Sequence, residues 1–358
     1  MDTRLISATA VLALSAACSV EAQEPEIPGR GTRGDRLAAS APLFASHQTL
    51  RFSLEADWGT IFKDRSQESE YHPAKLYVEG LDGSQVSLDI KVRTRGNFRL
   101  QSRICGFPPL RLNFPKEGTE NTVFAGQDKL KLATHCQDNR EQYEQITLQE
   151  YLIYRTFNLL TDKSFRVRLA HITYIDAAGK RDTLTKYGFL IEDEDAMAAR
   201  LGGTVLDLEG IHDDNTDQDQ MTLVAVFQYF IGNTDWSVWA LHNIVLVDIP
   251  PNTFPTPVPY DFDWSGVIDA PYARPDQKLP IRSVRQRLYR GYCKDPAELQ
   301  PVLDLFNRKK DEIYALWTAQ EGLTEKTLKR AIEYFDEFYQ TINDPKAVER
   351  EFIRNCRR

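Results

Sequence analysis

Carboxylate and amide side chains cluster in two segments of the second half of the chain. Asp235 lies in GNTDW, and Asn243 stands directly before the apolar run 244–247. The segment PYDFDWSG then supplies Asp261 and Asp263. Mg²⁺ bound to nucleotide phosphates takes oxygen ligands from carboxylates and amides. Asn243 and Asp261 could supply such oxygens, although acidic loops are often only solvated turns or helix caps.

Phosphoryl transfer also needs cationic side chains that hold the phosphates, and the first half of the chain offers several. The segments KVRTRGNFR, PPLRLNF and DKLKLATH put basic residues on successive predicted strands, namely Arg93, Arg95, Arg111, Lys129 and Lys131. Lys129 and Lys131 share one face of their strand because side chains alternate. The alternative is an ordinary solvent-exposed strand face, where lysine is common.

Length and charge limit the classes of protein to be considered. A chain of 358 residues can bury a large core, as one big domain or as two lobes. Its formal net charge of -8 disfavours nucleic-acid binding, which requires a positive surface. We therefore expect no nucleic-acid partner, whereas a nucleotide held through a metal ion remains compatible with the charge.

The amino terminus has the features of an export signal. Residues 1–22 contain Arg4, an apolar run and a small-residue cleavage site, and residues 23–45 resemble a flexible linker rich in proline, glycine and charge. Cys18 is an alternative lipid-anchor position, although Ser15 stands where lipoprotein signals usually carry leucine. The apolar run is too short for a transmembrane helix, and no later stretch is long enough. We expect an exported protein that is periplasmic, extracellular or anchored at the cell envelope by a lipid.

Four cysteines follow the signal, an even number that favours disulfides in an oxidising compartment. Three pairings are open to them. We predict a bond between Cys105 and Cys136, which flank adjacent predicted strands of the same half. Cys293 and Cys356 form the remaining pair.

The hydrophobic pattern indicates an α+β protein. Short stretches of alternating polarity predict antiparallel strands in TLRFSLEAD, KLYVEG, VSLDIKVRTRG, PLRLNFP and DKLKLATH. One long amphipathic helix is predicted within YEQITLQEYLIYRTFNLLTD, and further helices follow in the second half. This order predicts a strand-rich lobe over 46–192 and a mainly helical lobe over 193–358, with a cleft between them.

The order of these segments resembles the CotH-type spore-coat kinases, an atypical branch of the protein-kinase-like fold. The resemblance covers most of the chain after the linker and lies in RTRGN, DKLKLATHC, EYLIYRTFNLL, YGFLIEDED, GNTDW…HN and PYDFDWSG. It implies a bilobal kinase-like fold. The chain departs from the family's pattern in having RGNFRLQSRICGF where small residues usually follow the glycine, and it has no glycine-rich phosphate loop. These departures concern the nucleotide contacts of the first lobe more than the metal site.

The resemblance also implies roles for individual residues. Asp235 would be the catalytic acid/base, and Asn243 and Asp261 would be metal ligands, with Asp263 as a second carboxylate candidate. Lys131 would hold phosphate, and Glu150 on the long helix would pair with it, although a solvated helix charge is an equal alternative. The remaining implied nucleotide-binding residues are Arg95, Arg111 and Glu192.

These observations predict an exported kinase that binds ATP with Mg²⁺ or Mn²⁺ and transfers phosphate to a protein hydroxyl. One alternative is a catalytically weak or inactive scaffold or surface-assembly protein, because an exported protein meets little ATP. A second alternative is a secreted carbohydrate-binding module that uses its tryptophans, which include Trp236, Trp239 and Trp264.

Overall fold

The computed structural model describes residues 42–357. The predicted signal 1–22, its Cys18, and all of the predicted linker before residue 42 lie outside this range. The described chain starts with a 3₁₀ turn, Pro42–Phe44, whose Leu43 and Phe44 are buried. The chain thus joins the hydrophobic core within the range interpreted as a linker.

Seven strands of the first half form a closed barrel in the order β1-β2-β3-β4-β5-β7-β6. The strands are β1 (Leu50–Ala56), β2 (His72–Glu79), β3 (Gln85–Thr94), β4 (Leu110–Asn113), β5 (Lys129–Ala133), β6 (Val167–Asp176) and β7 (Leu184–Ile191). Alternation along β1 to β4 buries one face, as Ala74, Leu76 and Val78 of β2 illustrate. The buried faces line one apolar core inside the barrel, which excludes water from the ring of strands. Strands β6 and β7 also bury residues of their other face, such as Leu169 and Phe189, in a second core.

Barrel closure depends on one long-range pairing. Strand β1 pairs antiparallel with β2 but parallel with β6, with Leu50 opposite Ala170 and Phe52 opposite Ile172. The other neighbouring pairs in the ring are antiparallel. Because β6 also pairs with β7, the sheet has no free edge.

A helical layer packs against the outside of β6 and β7. The α-helices of the described chain are α1 (Trp58–Ile61), α2 (Glu141–Leu160), α3 (Glu194–Arg200), α4 (Gln218–Ile231), α5 (Pro296–Thr318), α6 (Glu325–Ile342) and α7 (Pro345–Val348). Helix α1 is a short helix between β1 and β2. Helix α2 is buried along most of its length and packs on α5, where the Trp317 indole donates a hydrogen bond to the Thr156 hydroxyl at 3.0 Å. A second apolar core lies within this layer.

The prediction of a bilobal, kinase-like fold is wrong. The described chain has a closed, mixed seven-stranded barrel and seven α-helices instead of a strand-rich lobe beside a helical lobe. Helix α2 does not complete a lobe with the strands around it, because its buried residues belong to the same core as those of α5 and α6. The boundary predicted at residue 192 therefore cuts through neighbouring parts of one core.

A small second sheet positions the acidic segments. Its strands are β8 (Thr204–Leu206), β9 (Ile244–Asp248) and β10 (Thr256–Pro259), in the order β10-β9-β8. Ile244 pairs with Pro259, so the start of β9 and the end of β10 lie side by side. This register brings the backbones of Asn243 and Tyr260 into contact, with the Tyr260 amide donating to the Asn243 carbonyl at 3.1 Å.

Both predicted disulfides are confirmed, Cys105 with Cys136 and Cys293 with Cys356. Bonds of this kind form in oxidising compartments, which fits an exported protein. Within residues 42–357, no helix is both long enough and apolar enough to cross a membrane.

Candidate functional site

Two of the predicted metal ligands lie at the same end of the small sheet. Asn243 and Asp261 both have positive φ angles, 54° and 59°, which non-glycine residues rarely adopt. The Asp261 amide donates a hydrogen bond to the Tyr154 hydroxyl at 2.8 Å, so α2 helps to hold this conformation. Left-handed residues of this kind concentrate at functional sites.

Asp235 lies in a turn that begins where α4 ends. Gly232 ends the helix in the left-handed conformation, and a side chain there would overlap the hydroxyl of Tyr334. The Asn243 amide nitrogen donates to the Asp235 carbonyl at 2.7 Å and to its carboxylate Oδ2 at 3.2 Å. Asp235 and Asn243 are therefore neighbours, and Asn243 contacts Asp235 through its side-chain nitrogen and not through the oxygen predicted to bind metal.

His242 is a partner of Asp235 that the sequence did not reveal. Its Nε2 lies 2.9 Å from Asp235 Oδ1, and this hydrogen bond raises the pKa of His242. The two Asp235 oxygens are thus contacted by His242 on one side and by Asn243 on the other. The sequence feature that could have indicated this contact is the position of His242 directly before Asn243. The backbone of His242 pairs with that of Ser237, two residues after Asp235.

Arg99, a second residue that the sequence interpretation missed, links three of the predicted acids. Its guanidinium nitrogens lie 3.2 Å from Asp261 Oδ1, 3.4 Å from Asp263 Oδ2 and 3.5 Å from Glu150 Oε2. Arg99 belongs to RTRGNFR, the segment quoted for its other arginines. We call Arg99 and these three carboxylates the arginine cluster.

Two acids of the arginine cluster are buried. The Glu150 and Asp263 side chains are 1% and 5% exposed, and burial raises the pKa of both carboxyl groups against the opposing charge of Arg99. The Tyr272 hydroxyl donates to Asp263 Oδ2 at 2.8 Å. Asp261 differs from them because its side chain is 42% exposed, so one carboxylate of the cluster faces solvent.

Lys131 lies near the arginine cluster but has a different partner from the one implied. A small cavity of about 10 Å³ is bordered by the Lys131, Glu150 and Asp261 side chains. The Lys131 ammonium is paired with Glu194, and Glu150 is paired with Arg99. Burial lowers the pKa of Lys131. The predicted lysine and acids therefore converge, whereas the implied ion pair between Lys131 and Glu150 is not formed.

The basic strand residues line a larger cavity of about 510 Å³ on the outside of the barrel. Its lining residues are Tyr71, Arg93, Arg111, Lys129, Lys131, Asp193, Glu194 and Asp195. Strand pairing explains this convergence, because Arg111 lies opposite both Arg93 and Lys131. Among the described residues, the buried Nε atoms of Arg93 and Arg111 have no hydrogen-bond partner. The cavity thus combines four basic side chains with three acidic ones.

Arg95 and Glu192 have different surroundings. Arg95 borders the small cavity with Lys131 and Asp261, and burial lowers the pKa of its guanidinium. Glu192 is buried and bound to the Arg200 guanidinium at 2.8 Å, and it also accepts from the Arg166 amide at 2.9 Å. Arg95 therefore belongs to the assembled site, whereas the Glu192 carboxylate is engaged in holding β7 to α3.

An open cleft of about 540 Å³ adjoins Asp235. One side is formed by the Asp235 turn and His242, and the other by the segment 274–290. Trp264 contributes a half-buried ring that packs edge-on against Phe98, close to the arginine cluster. The cleft is thus next to the candidate base and large enough for an extended substrate.

Residues 42–357 supply hard oxygen atoms but no complete set of metal ligands. Within the described chain, no group of three or more His, Cys, Asp or Glu side chains is arranged to hold a metal ion. Asp261 and Asp263 nevertheless converge on one cationic group, the Arg99 guanidinium.

No family model and no curated protein matches this chain.

Proposed function

We propose that this chain binds ATP with Mg²⁺ or Mn²⁺ and transfers the terminal phosphate to a protein hydroxyl, the activity implied by its resemblance to CotH-type kinases. The observation that carries the proposal is the convergence of Lys131, Arg95 and Asp261 on one cavity, beside the Asp235 turn. Lys131 lies in β5, Arg95 directly follows β3, and Asp261 follows β10. The proposal depends on these side chains and does not require a kinase-like fold.

The basic side chains would bind the nucleotide phosphates. Lys131 borders both the small cavity and the larger basic cavity, so it connects Arg95 with Arg111. An anion that entered there would compete with Glu194 for the Lys131 ammonium. Charge-assisted hydrogen bonds from arginine and lysine are the usual way to hold phosphate.

Asp261 and Asp263 would hold the divalent ion, with the Asn243 amide oxygen as a further ligand. Their carboxylates already face one cation at 3.2 and 3.4 Å. Mg²⁺ is usually bound by one or two protein carboxylates together with phosphate oxygens and water, so the donors present fit it. When bound, the ion would neutralise phosphate charge.

Asp235 would accept the proton of the attacking hydroxyl. Its carboxylate is 37% exposed at the open cleft and is oriented by Asn243 and His242. An accessible carboxylate that is held in one direction suits the positioning of a hydroxyl in phosphoryl transfer.

The second candidate is an exported binding or surface-assembly protein without catalysis. It is favoured by the small cavity, whose volume of about 10 Å³ leaves no room for a phosphate while Arg99 and Lys131 keep their present partners. A carbohydrate-binding module has less support, because Trp236 is buried and Trp264 is half-buried, and only Trp239 exposes its ring widely. In either function the protein would be periplasmic, extracellular or lipid-anchored.

Calorimetry with ATP and Mn²⁺ tests the proposed function. We expect metal-dependent binding that Asp261→Asn weakens at least tenfold, because the variant loses a charged ligand. Asp248→Asn is the matched control, since Asp248 is exposed at the opposite end of β9 from Asn243. Absence of metal-dependent binding in the parent protein, or equal binding by both variants, would favour the non-catalytic candidate.

A further inference from the structure

Arg290 holds the backbone on both sides of Asp235. Its guanidinium nitrogen Nη1 donates hydrogen bonds to the Thr234 carbonyl and, at 2.8 Å, to the Trp236 carbonyl. The guanidinium also lies over the Trp236 ring, 5.4 Å from its centre. Because these two carbonyls flank Asp235, Arg290 limits how far the Asp235 turn can move.

The chain directly after Arg290 is held by the C-terminal segment. The Arg357 amide donates to the Gly291 carbonyl at 2.9 Å, and the Cys293 amide donates to the Arg357 carbonyl at 2.9 Å. The disulfide between Cys293 and Cys356, which we call the C-terminal disulfide, joins the same two segments covalently. This bond therefore secures the anchor next to Arg290.

The chain before Arg290 has a separate anchor. The Arg287 guanidinium donates to the Phe230 carbonyl at 3.3 Å and also to the Tyr334 carbonyl. Loss of the C-terminal disulfide would therefore release Arg290 from one side only. We expect its effect on the turn to be smaller than the effect of removing the Arg290 side chain.

The two disulfides differ in accessibility. Cys105 and Cys136 are 0% and 4% exposed. In the C-terminal disulfide, Cys293 is exposed and Cys356 is half-buried. Thiol–disulfide exchange requires a thiolate to reach one of the two sulfur atoms. Of the two bonds, the C-terminal disulfide is therefore the one that an external thiol can reach.

We propose that Arg290 is a positioning residue for Asp235 and that the C-terminal disulfide completes its support, so that the turn is held firmly only in the oxidised protein. This inference rests on the proposed function for the role of Asp235 and adds a regulation of that site by oxidation. Formation of the bond removes two electrons and two protons from the two thiols, and a disulfide-bearing oxidant takes them up and becomes a dithiol. The support of Asp235 is thus completed in an oxidising compartment, where disulfides persist.

Amide hydrogen exchange tests this inference without ATP or metal. Ser237 and His242 donate to each other's carbonyls at 2.9 Å within the turn, so their amides report its local opening. We expect Arg290→Met to accelerate the exchange of both amides about tenfold or more. Arg290→Lys should restore part of the protection, because its ammonium can still donate to carbonyls. The matched control is Arg285→Met, since Arg285 lies in the same segment and donates to a carbonyl outside the turn.

The C-terminal disulfide is tested with the double variant Cys293→Ser/Cys356→Ser. We expect exchange about threefold faster or more at the same two amides, and a smaller change at amides that pair β2 with β3. Cys105→Ser/Cys136→Ser is the matched control, because that bond does not involve the segment that carries Arg290. It should leave the turn amides at the parental rate.

The possible outcomes separate this inference from the proposed function. Selective acceleration at the turn, in Arg290→Met and in the C-terminal disulfide variant, supports the inference whether or not the protein binds ATP. Equal acceleration at the turn and in the barrel would mean that only global stability had fallen, and it overturns the inference. Parental exchange in either variant also overturns it. If ATP fails to bind although the turn responds as expected, only the proposed transfer reaction is removed.

Discussion

The arginine cluster and the Asp235 turn are two acidic regions with opposite designs. In the cluster, Glu150 and Asp263 are buried, and Arg99 forms ion pairs with all three carboxylates. At the turn, Asp235 is exposed beside a wide cleft, and neutral or weakly basic groups orient it. Buried acids suit the holding of a cation, whereas an oriented and accessible acid suits the receipt of a proton. Each prediction below tests one side of this difference.

Removal of the arginine has the largest expected effect. Arg99→Met leaves two buried carboxylates without their cation, and loss of one partner of a buried ion pair typically costs about 3 kcal/mol or more. We expect a loss of that order in the free energy of unfolding, measured with denaturant at neutral pH. Arg103→Met is the control, because Arg103 is exposed in the same segment and donates to the Gln101 side chain, not to a carboxylate of the arginine cluster.

The pH dependence of this loss identifies its cause. Burial already raises the pKa of Glu150 and Asp263, and without Arg99 both values should rise further. Such carboxyl groups are protonated in the folded state over a pH range in which the same groups are ionised in the unfolded chain. The free energy of unfolding of the variant therefore falls as pH rises through that range. The deficit of Arg99→Met should therefore be smaller at acidic than at neutral pH. A constant deficit would mean that lost packing, not charge, is responsible.

Loss of the candidate base should affect catalysis alone. Asp235→Asn should lower the transfer of labelled phosphate from ATP by a factor on the order of a hundred, the usual contribution of a general base. ATP and Mn²⁺ binding by calorimetry should remain close to that of the parent protein, because Asp235 belongs to the turn and not to the arginine cluster. Transfer at the parental rate would make Asp235 a structural residue of its turn.

The smallest predicted effect is a shift in the titration of His242. Its hydrogen bond to Asp235 should give it a pKa above the ordinary histidine value, and Asp235→Asn should return it towards that value. Any stability from this pair would be present at acidic pH and would be lost as pH rises through the raised pKa. NMR titration of the imidazole is the measurement, with His212, which has no ion pair with Asp235, as the internal reference. Identical His242 curves in both proteins would exclude the pair in solution.

The sequence predicted local features of the fold better than the closure of the barrel. Alternating polarity located the barrel strands, and the position of Cys105 and Cys136 beside adjacent strands predicted their disulfide. The parallel pairing of β1 with β6 joins segments more than a hundred residues apart, so no local pattern could reveal it. The kinase-like fold was predicted from the order of segments, which does not determine how the sheet closes.

The candidate site shows the same limit. Asp235, Asn243 and Asp261 were selected as candidates because their residue types and order match a known chemistry. Arg99 was missed because its partners lie far along the chain and become neighbours only through the packing of α2 and β10 around the barrel. The partner of Lys131 was misassigned for a related reason. The lysine is paired with Glu194 at the start of α3, whereas Glu150 on α2 is paired with Arg99.

Diffraction from crystals grown with Mn²⁺ and a non-hydrolysable ATP analogue tests the central claim most directly. Anomalous scattering locates the manganese independently of the rest of the map. The proposed function predicts a manganese ion at roughly 2.0–2.6 Å from Asp261 and from phosphate oxygens of the analogue, with Arg99 moved away from that carboxylate. Manganese and nucleotide bound elsewhere, or Arg99 still bound to Asp261 under saturating nucleotide, would contradict it.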